Sequence, residues 1–216
     1  MRSFKFPLVG LFALLFGLLV SCVAVDNQGR HLPDEPEEAS VSERVDVQKI
    51  QVESVIASIA VDRGPKLLRD LQWLIRMKGM ATPVIVASLP DSSAQVRSNL
   101  LYVLGFDPSP ESAEALKSYL GDPDDATRYE AAAALLHHGD YSATPILIKF
   151  LESSNRHMRF KAVEALRETT GREFGYSFSE AASLRAEAVA RWKAWWASEK
   201  RRLMRRTTPV GDEPGK

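Results

Sequence analysis

Few side chains in this sequence are placed for chemistry. The 216 residues contain a single cysteine, Cys22. It ends an apolar run in the stretch Leu19-Val20-Ser21-Cys22. A lone thiol cannot form an internal disulfide, but it can be acylated. His137 and His138 are adjacent, and neighbouring positions on a helix point about 100° apart. They therefore do not chelate one ion together, and with Gly139 behind them they suit a helix C-terminus. The acidic turn GDPDD at 121–125 lacks the length and terminal Glu of an EF-hand loop. No nucleophile–base pair, metal-ligand spacing or phosphate-cradling loop is present. The reading is therefore no enzyme, no metal, no cofactor and no evident small-molecule substrate.

The environment of Cys22 suggests what its thiol does. Arg2 and Lys5 form a positive start, and residues 6–20 carry no charge. Fifteen residues make a helix of about 22 Å, short for a bilayer span and suited to the apolar region of an export signal. The run ends in an aliphatic residue three before the cysteine and a small one directly before it. This resembles the lipobox of bacterial lipoproteins. The resemblance implies cleavage between Ser21 and Cys22 and a diacylglyceryl group on the Cys22 sulfur. Residues 1–21 are then the signal peptide. The lack of Asp after the cysteine, where Val23 and Ala24 stand, implies outer-membrane placement facing the periplasm. Membrane contact is through the N-terminal lipid, and several acyl chains make such an anchor stable.

Removing residues 1–21 leaves 26 basic against 28 acidic residues. Near neutrality excludes nucleic acid as the main partner. Residues 22–42, with two prolines and the cluster DEPEE, read as a flexible acidic tether with an r.m.s. reach of about 25 Å. Residues 204–216 read as a disordered tail. The 43–203 region is rich in Ala, Leu, Arg and Glu, which favours helix.

What positions the remaining candidates is a repeat. Segments beginning at Ala81, Ser112 and Ala143 align without gaps at a period of 31 residues. Ile85, Leu116 and Leu147 correspond, as do Leu104, Leu135 and Leu166. Each unit reads as a short helix, a turn with capping Asp or Ser, and a second helix with one apolar stripe. In the middle unit that stripe shrinks to alanine, which implies close helix approach. One hairpin cannot bury its apolar face alone, whereas a stack can. The turn residues Asp91 and Asp122 and the arginines Arg97, Arg128 and Arg159 recur with the period. This pattern resembles the HEAT repeat family, in particular its short, PBS-lyase HEAT-like class. Ser153 replaces the turn Asp in the third unit, and the period is shorter than the usual 40–47. The resemblance implies an all-α fold: a right-handed α-solenoid of helical hairpins. The units are a degenerate one at 43–80, then 81–111, 112–142 and 143–173, closed by a capping helix at 184–203.

The repeated arginines read as a structural ladder bonding turn Asp or backbone in adjacent units. Trp192 and Trp196 share a helical face and read as a hydrophobic cap; Trp195 lies off that face and is expected to be more exposed. The run KRRLMRR at 200–206 reads as a helix end balancing the macrodipole. The second helices line the concave face of such a stack. Tyr102, Tyr129 and Phe160 are expected to point outward there, and with Trp195 they are the candidate contacts for an unknown protein partner. The function that follows is an envelope-anchored interaction scaffold. The alternative is a structural envelope protein touching peptidoglycan or membrane through the basic C-terminal helix. Lyases carrying similar repeats act on chromophores of cytosolic proteins, which is the wrong compartment for an exported chain.

Overall fold

Helix starts recur with the 31-residue beat. Ser93, Asp124 and Asn155 are N-caps, and their side chains accept from Val96 N, Thr127 N and His157 N respectively. A short polar side chain at this place satisfies a backbone N–H that the helix itself leaves unpaired. Pro110 and Pro145 stand in the first turns of the helices they open, where no N–H is needed. Asp140 N bonds Leu135 O and Gly139 N bonds Leu136 O, with Gly139 at φ 81°. This Schellman stop ends the helix at the two histidines.

A computed structural model describes residues 41–207. The order is α1 (Val41–Ile59), α2 (Gly64–Ser88), α3 (Ala94–Leu104), α4 (Pro110–Ser118), α5 (Asp125–His137), a 3-10 turn (Tyr141–Ala143), α6 (Thr144–Phe150), α7 (Arg156–Thr170) and α8 (Ala182–Thr207). No strand occurs among the described residues, and the fold is all-α. α1 pairs with α2, α4 with α5 and α6 with α7, while α3 packs on α5 and α5 on α7. The result is a stack of helical hairpins. Ile85, Leu116 and Leu147 are fully buried, as are Leu104, Leu135 and Leu166. Each such leucine removed from water contributes roughly 1.5–3 kcal/mol.

Several boundaries differ from the sequence expectation. α1 begins at Val41, inside the expected tether. α2 runs through the expected unit boundary at 80/81, bent at Lys78, whose φ is 32°. The first half of α2 thus closes the degenerate unit and its second half opens the next. The terminal helix is longer than 184–203 and reaches Thr207, into the expected tail. The rest of the tether and tail, the apolar run, Ser21 and Cys22 lie outside the described residues. Among the described residues no helix is long and apolar enough to cross a membrane.

The close approach expected from the alanines lies between α3 and α5. Gly105 follows α3 with ordinary φ, and a Cβ there would stand 3.0 Å from Ala134 Cβ and 3.1 Å from Tyr102 O. Glycine is used at this point for space and not for backbone freedom.

Candidate functional site

The three arginines form a ladder along the turn side of the stack. Arg97 Nη1 donates to Ser92 O at 3.0 Å, Arg128 Nη1 to Asp122 O and Pro123 O at 2.6 and 2.9 Å, and Arg159 Nη1 to Ser153 O and Ser154 O at 2.8 and 2.9 Å. Each guanidinium also reaches the following segment. Arg97 Nε lies 3.2 Å from Asp122 Oδ2, a charge contact without hydrogen-bond alignment. Arg97 stands over Tyr119 and Arg128 over Phe150. Arg159 Nε and Nη2 both donate to Phe178 O. A planar fork with several donors suits this double duty.

Asp91 does not take part. It is exposed, and no ion pair among the described residues reaches it, whereas Asp122 is buried under Arg97. The cause lies upstream: four residues after the N-cap, where the inner units carry the ladder arginine, α2 has Leu67. Lys66 beside it pairs instead, at 2.9 Å, with Asp62. That hydrogen bond holds the Asp62 carboxyl below the usual carboxylate range.

The face made by α3, α5 and α7 carries the candidate partner residues. Tyr102 and Phe160 are exposed, as expected, and so is Phe106. Tyr129 is not: it is only 6% exposed. Its ring packs edge-on to Phe150 with centroids 6.0 Å apart, and its hydroxyl donates to Lys161 O at 3.1 Å. The neighbouring helix α7 covers it. Burial, reinforced by the nearby charges of Glu130 and Glu168, pushes its phenol well above the ordinary range. Tyr129 is thus a wall residue fixed from behind.

Between these side chains lies a groove of about 460 Å³. Its floor is Gly105, Ala133 and Ala134; Tyr102 and Phe106 form one wall and Tyr129 and Lys161 the other. The two exposed rings are held edge to face, 5.1 Å apart. Lys161 Nζ bonds Glu130 Oε1 at 2.5 Å and lies 4.2 Å from the Tyr129 centroid. His137 is exposed on the rim, while His138 Nε2 sits 3.2 Å from Leu104 O. Glu130 and Lys161 were readable from the repeat but not singled out: with Asn99 they occupy one register position in successive units.

Trp195 is half-buried, as is Trp196, and both are more open than fully buried Trp192. It packs against Trp192 and Phe174 at 5.5 and 6.1 Å. Fully buried Trp192 anchors the cluster. α8 carries it onto α6 and the 3-10 turn. The outer side of α7 is covered instead by the 172–181 loop. There Phe178 meets Phe160 at 5.0 Å and buried Tyr176 donates to Leu151 O.

A family model for HEAT repeats matches residues 82–167 and again 122–197. The two matches together span more than half of the chain, and the chain belongs to the HEAT repeat family. Its architecture is that of a helical repeat scaffold for protein interaction. No curated protein matches it. Among solved structures, human deoxyhypusine hydroxylase in complex with glycerol aligns at 22% identity and a TM-score of 0.36, over 79% of this chain and 49% of that one. The chain thus spans about half the length of that structure.

Proposed function

We propose that this chain is a lipid-anchored, non-catalytic HEAT-repeat scaffold of a bacterial envelope. Cys22 carries the lipid, the acidic segment after it spaces the stack from the membrane, and the face of α3, α5 and α7 binds a protein partner. The residues after Cys22 favour the outer membrane, facing the periplasm. One observation carries the binding face: exposed Tyr102 and Phe106 stand beside a groove floored by Gly105, Ala133 and Ala134, with Phe160 further along the same helix layer. Aromatic side chains beside an apolar cleft supply most of the energy of protein recognition. A floor without large side chains lets a partner's side chain enter.

The test is crosslinking in living cells with the full-length chain, followed by mass spectrometry of what copurifies from solubilised membranes. Tyr102→Ala with Phe160→Ala should abolish a discrete crosslinked partner while leaving the fold intact. Cys22→Ser should abolish incorporation of labelled fatty acid into the chain. A partner retained by the double variant, or crosslinks confined to abundant envelope components through α8, would refute the binding face. Labelled fatty acid still incorporated by Cys22→Ser, or none incorporated by the unaltered chain, would refute the anchor.

A further inference from the structure

Residues 122–130 and 153–161 occupy the same place in successive units, since Asp124 and Asn155 are both N-caps. Their charges are opposite. DPDDATRYE holds four acids and one arginine, whereas SSNRHMRFK holds three bases and no acid. Arg156 stands where the earlier unit has Asp125, and Lys161 where it has Glu130. The fold does not require this reversal. Asn155 caps α7 as Asp124 caps α5. Arg159 bonds only the carbonyls of Ser153, Ser154 and Phe178, whereas Arg97 faces Asp122 and Arg128 faces Asp125.

The start of α7 is therefore left cationic. Lys161 is taken by Glu130. Arg159 is only 8% exposed, and no ion pair among the described residues reaches it or Arg156. The helix N-terminus adds a partial positive charge of its own. Of the acids nearby, Glu152 is paired with Lys193. Glu180 is exposed in the loop after Phe178 but does not line the basin formed here. That basin is shallow, about 530 Å³, and is bounded by Asn155, Arg156, His157, Phe160 and Phe178. The Arg156 guanidinium stands over the Phe178 ring at 5.1 Å, and Phe178 meets Phe160 edge to face. Arg156, His157 and Phe160 are all exposed. A guanidinium held over a ring can still turn its fork to a carboxylate, and an imidazole N–H can donate to a second one.

We propose that the partner segment lying on this end of the face is an acidic peptide stretch with an apolar side chain among its carboxylates. The carboxylates meet Arg156 and His157, and the apolar side chain enters the basin between Phe160 and Phe178. Charge complementarity carries the choice: the cations here have no role in closing the fold, and the acids that the preceding unit keeps at these positions are absent. The two rings ask for more than a bare anion, because a partner that brings only charge leaves Phe160 in water. The inference rests on the reading of the α3, α5 and α7 face as the partner's site. It adds the partner's charge and its direction: the acidic part on α7, the apolar part at Tyr102 and Phe106. Complementary charge of this kind governs specificity and the rate of encounter more than raw affinity.

The test uses the detergent-purified full chain and two fluorescein-labelled peptides, one with phenylalanine set between glutamates and one with it set between lysines. Fluorescence anisotropy should show the acidic peptide binding on the order of tenfold more tightly, with a preference that falls as salt rises. Arg156→Glu should remove the preference, and Phe160→Ala should weaken the acidic peptide on the order of tenfold, both with helical circular dichroism retained. Lys117→Glu makes the same change of charge on α4 and should leave the preference in place. Equal binding of the two peptides, binding of neither, or a preference that Lys117→Glu lowers as much as Arg156→Glu overturns the proposal. So does binding to phosphatidylglycerol vesicles that Arg156→Glu abolishes while neither peptide binds, which would make lipid the occupant. Crosslinking in cells separates this proposal from the reading beneath it. A partner lost with Tyr102→Ala and Phe160→Ala but kept by Arg156→Glu leaves the binding face standing and removes its acidic occupant. A partner kept by both sets of variants removes both.

Discussion

Tyr129 and Lys161 hold each other twice. The phenol hydroxyl donates to the Lys161 carbonyl at 3.1 Å, and the Lys161 ammonium lies 4.2 Å from the centre of the Tyr129 ring. This ties α5 to α7 beneath the groove and makes Tyr129 a stability residue. Tyr129→Phe should cost about 0.5–1.5 kcal/mol, the net worth of one hydrogen bond. Tyr129→Ala should cost about 3–5 kcal/mol through the cavity it leaves. Urea unfolding measures both, and similar costs for the two variants would contradict the packing described.

The same residue sets an alkaline limit on stability. Burial raises the Tyr129 phenol above its ordinary value near 10. Between the unfolded and folded values the native state binds the extra proton, so the slope of stability against pH is negative there. The contribution is fully present below about pH 10 and is lost as pH rises towards the folded value. Absorbance titration should show a tyrosine that ionises only together with loss of helix. Tyr176 is also buried and raised, so Tyr129→Phe should lower the amplitude of that late step by one tyrosine and not abolish it. Full ionisation of every tyrosine in a still-helical protein would count against it.

The arginine ladder predicts an asymmetry between two aspartates that the repeat makes equivalent. Asp122→Ala removes the buried partner of Arg97 and an acceptor of the Asp124 N–H, and should cost about 1–3 kcal/mol. Asp91→Ala, at an exposed site, should stay within about 0.5 kcal/mol. Arg159→Lys keeps the charge but loses the fork that binds Ser153, Ser154 and Phe178 carbonyls, and should cost about 1.5–3 kcal/mol. Parallel denaturation curves are sufficient, and equal effects at 91 and 122 would refute the assignment.

Period carried most of the fold in the sequence. Leu104, Leu135 and Leu166, the caps at 93, 124 and 155, and the three arginines all follow one beat, because each unit solves the same packing problem. What the period does not encode is neighbourhood. Positions 98, 129 and 160 are equivalent in register, yet Phe160 is exposed and Tyr129 buried. Tyr129 has the helix of a following unit beside it, whereas Phe160 has only the loop at Phe178. The end units departed for the same reason: Leu67 stands where the inner units carry the ladder arginine, and Trp195 is covered by Phe174, a residue in an irregular loop. The Glu130–Lys161 pair was legible, since opposite charges one period apart sit side by side on adjacent helices.

Close approach at Gly105 gives a paired prediction. Gly105→Ala places a methyl 3.0 Å from Ala134 Cβ and 3.1 Å from Tyr102 O, and neither atom is the free end of a flexible chain. The helix-stabilising value of Ala over Gly is therefore outweighed, and the variant should lose about 1–3 kcal/mol. Ala134→Gly should relieve the contact, so the double variant is more stable than the sum of the singles requires. Strict additivity in thermal melts would show that α3 and α5 do not meet there.

Lys78 offers a gain. It is the one non-glycine among the described residues with positive φ, at 32°, where α2 bends between the first hairpin and the rest of the stack. An L side chain in this region costs of order 1–3 kcal/mol, and glycine escapes it. The Lys78 side chain is exposed, so little packing is lost on removing it. Part of the gain is offset by the larger freedom of glycine in the unfolded chain. Lys78→Gly should stabilise by about 1 kcal/mol, a rise in Tm of about 2–4 °C for a chain of this size. Lys78→Ala, which keeps the Cβ and therefore the strain, should give no such rise. A gain shared by both variants would place the benefit in loss of the lysine charge and not in the backbone.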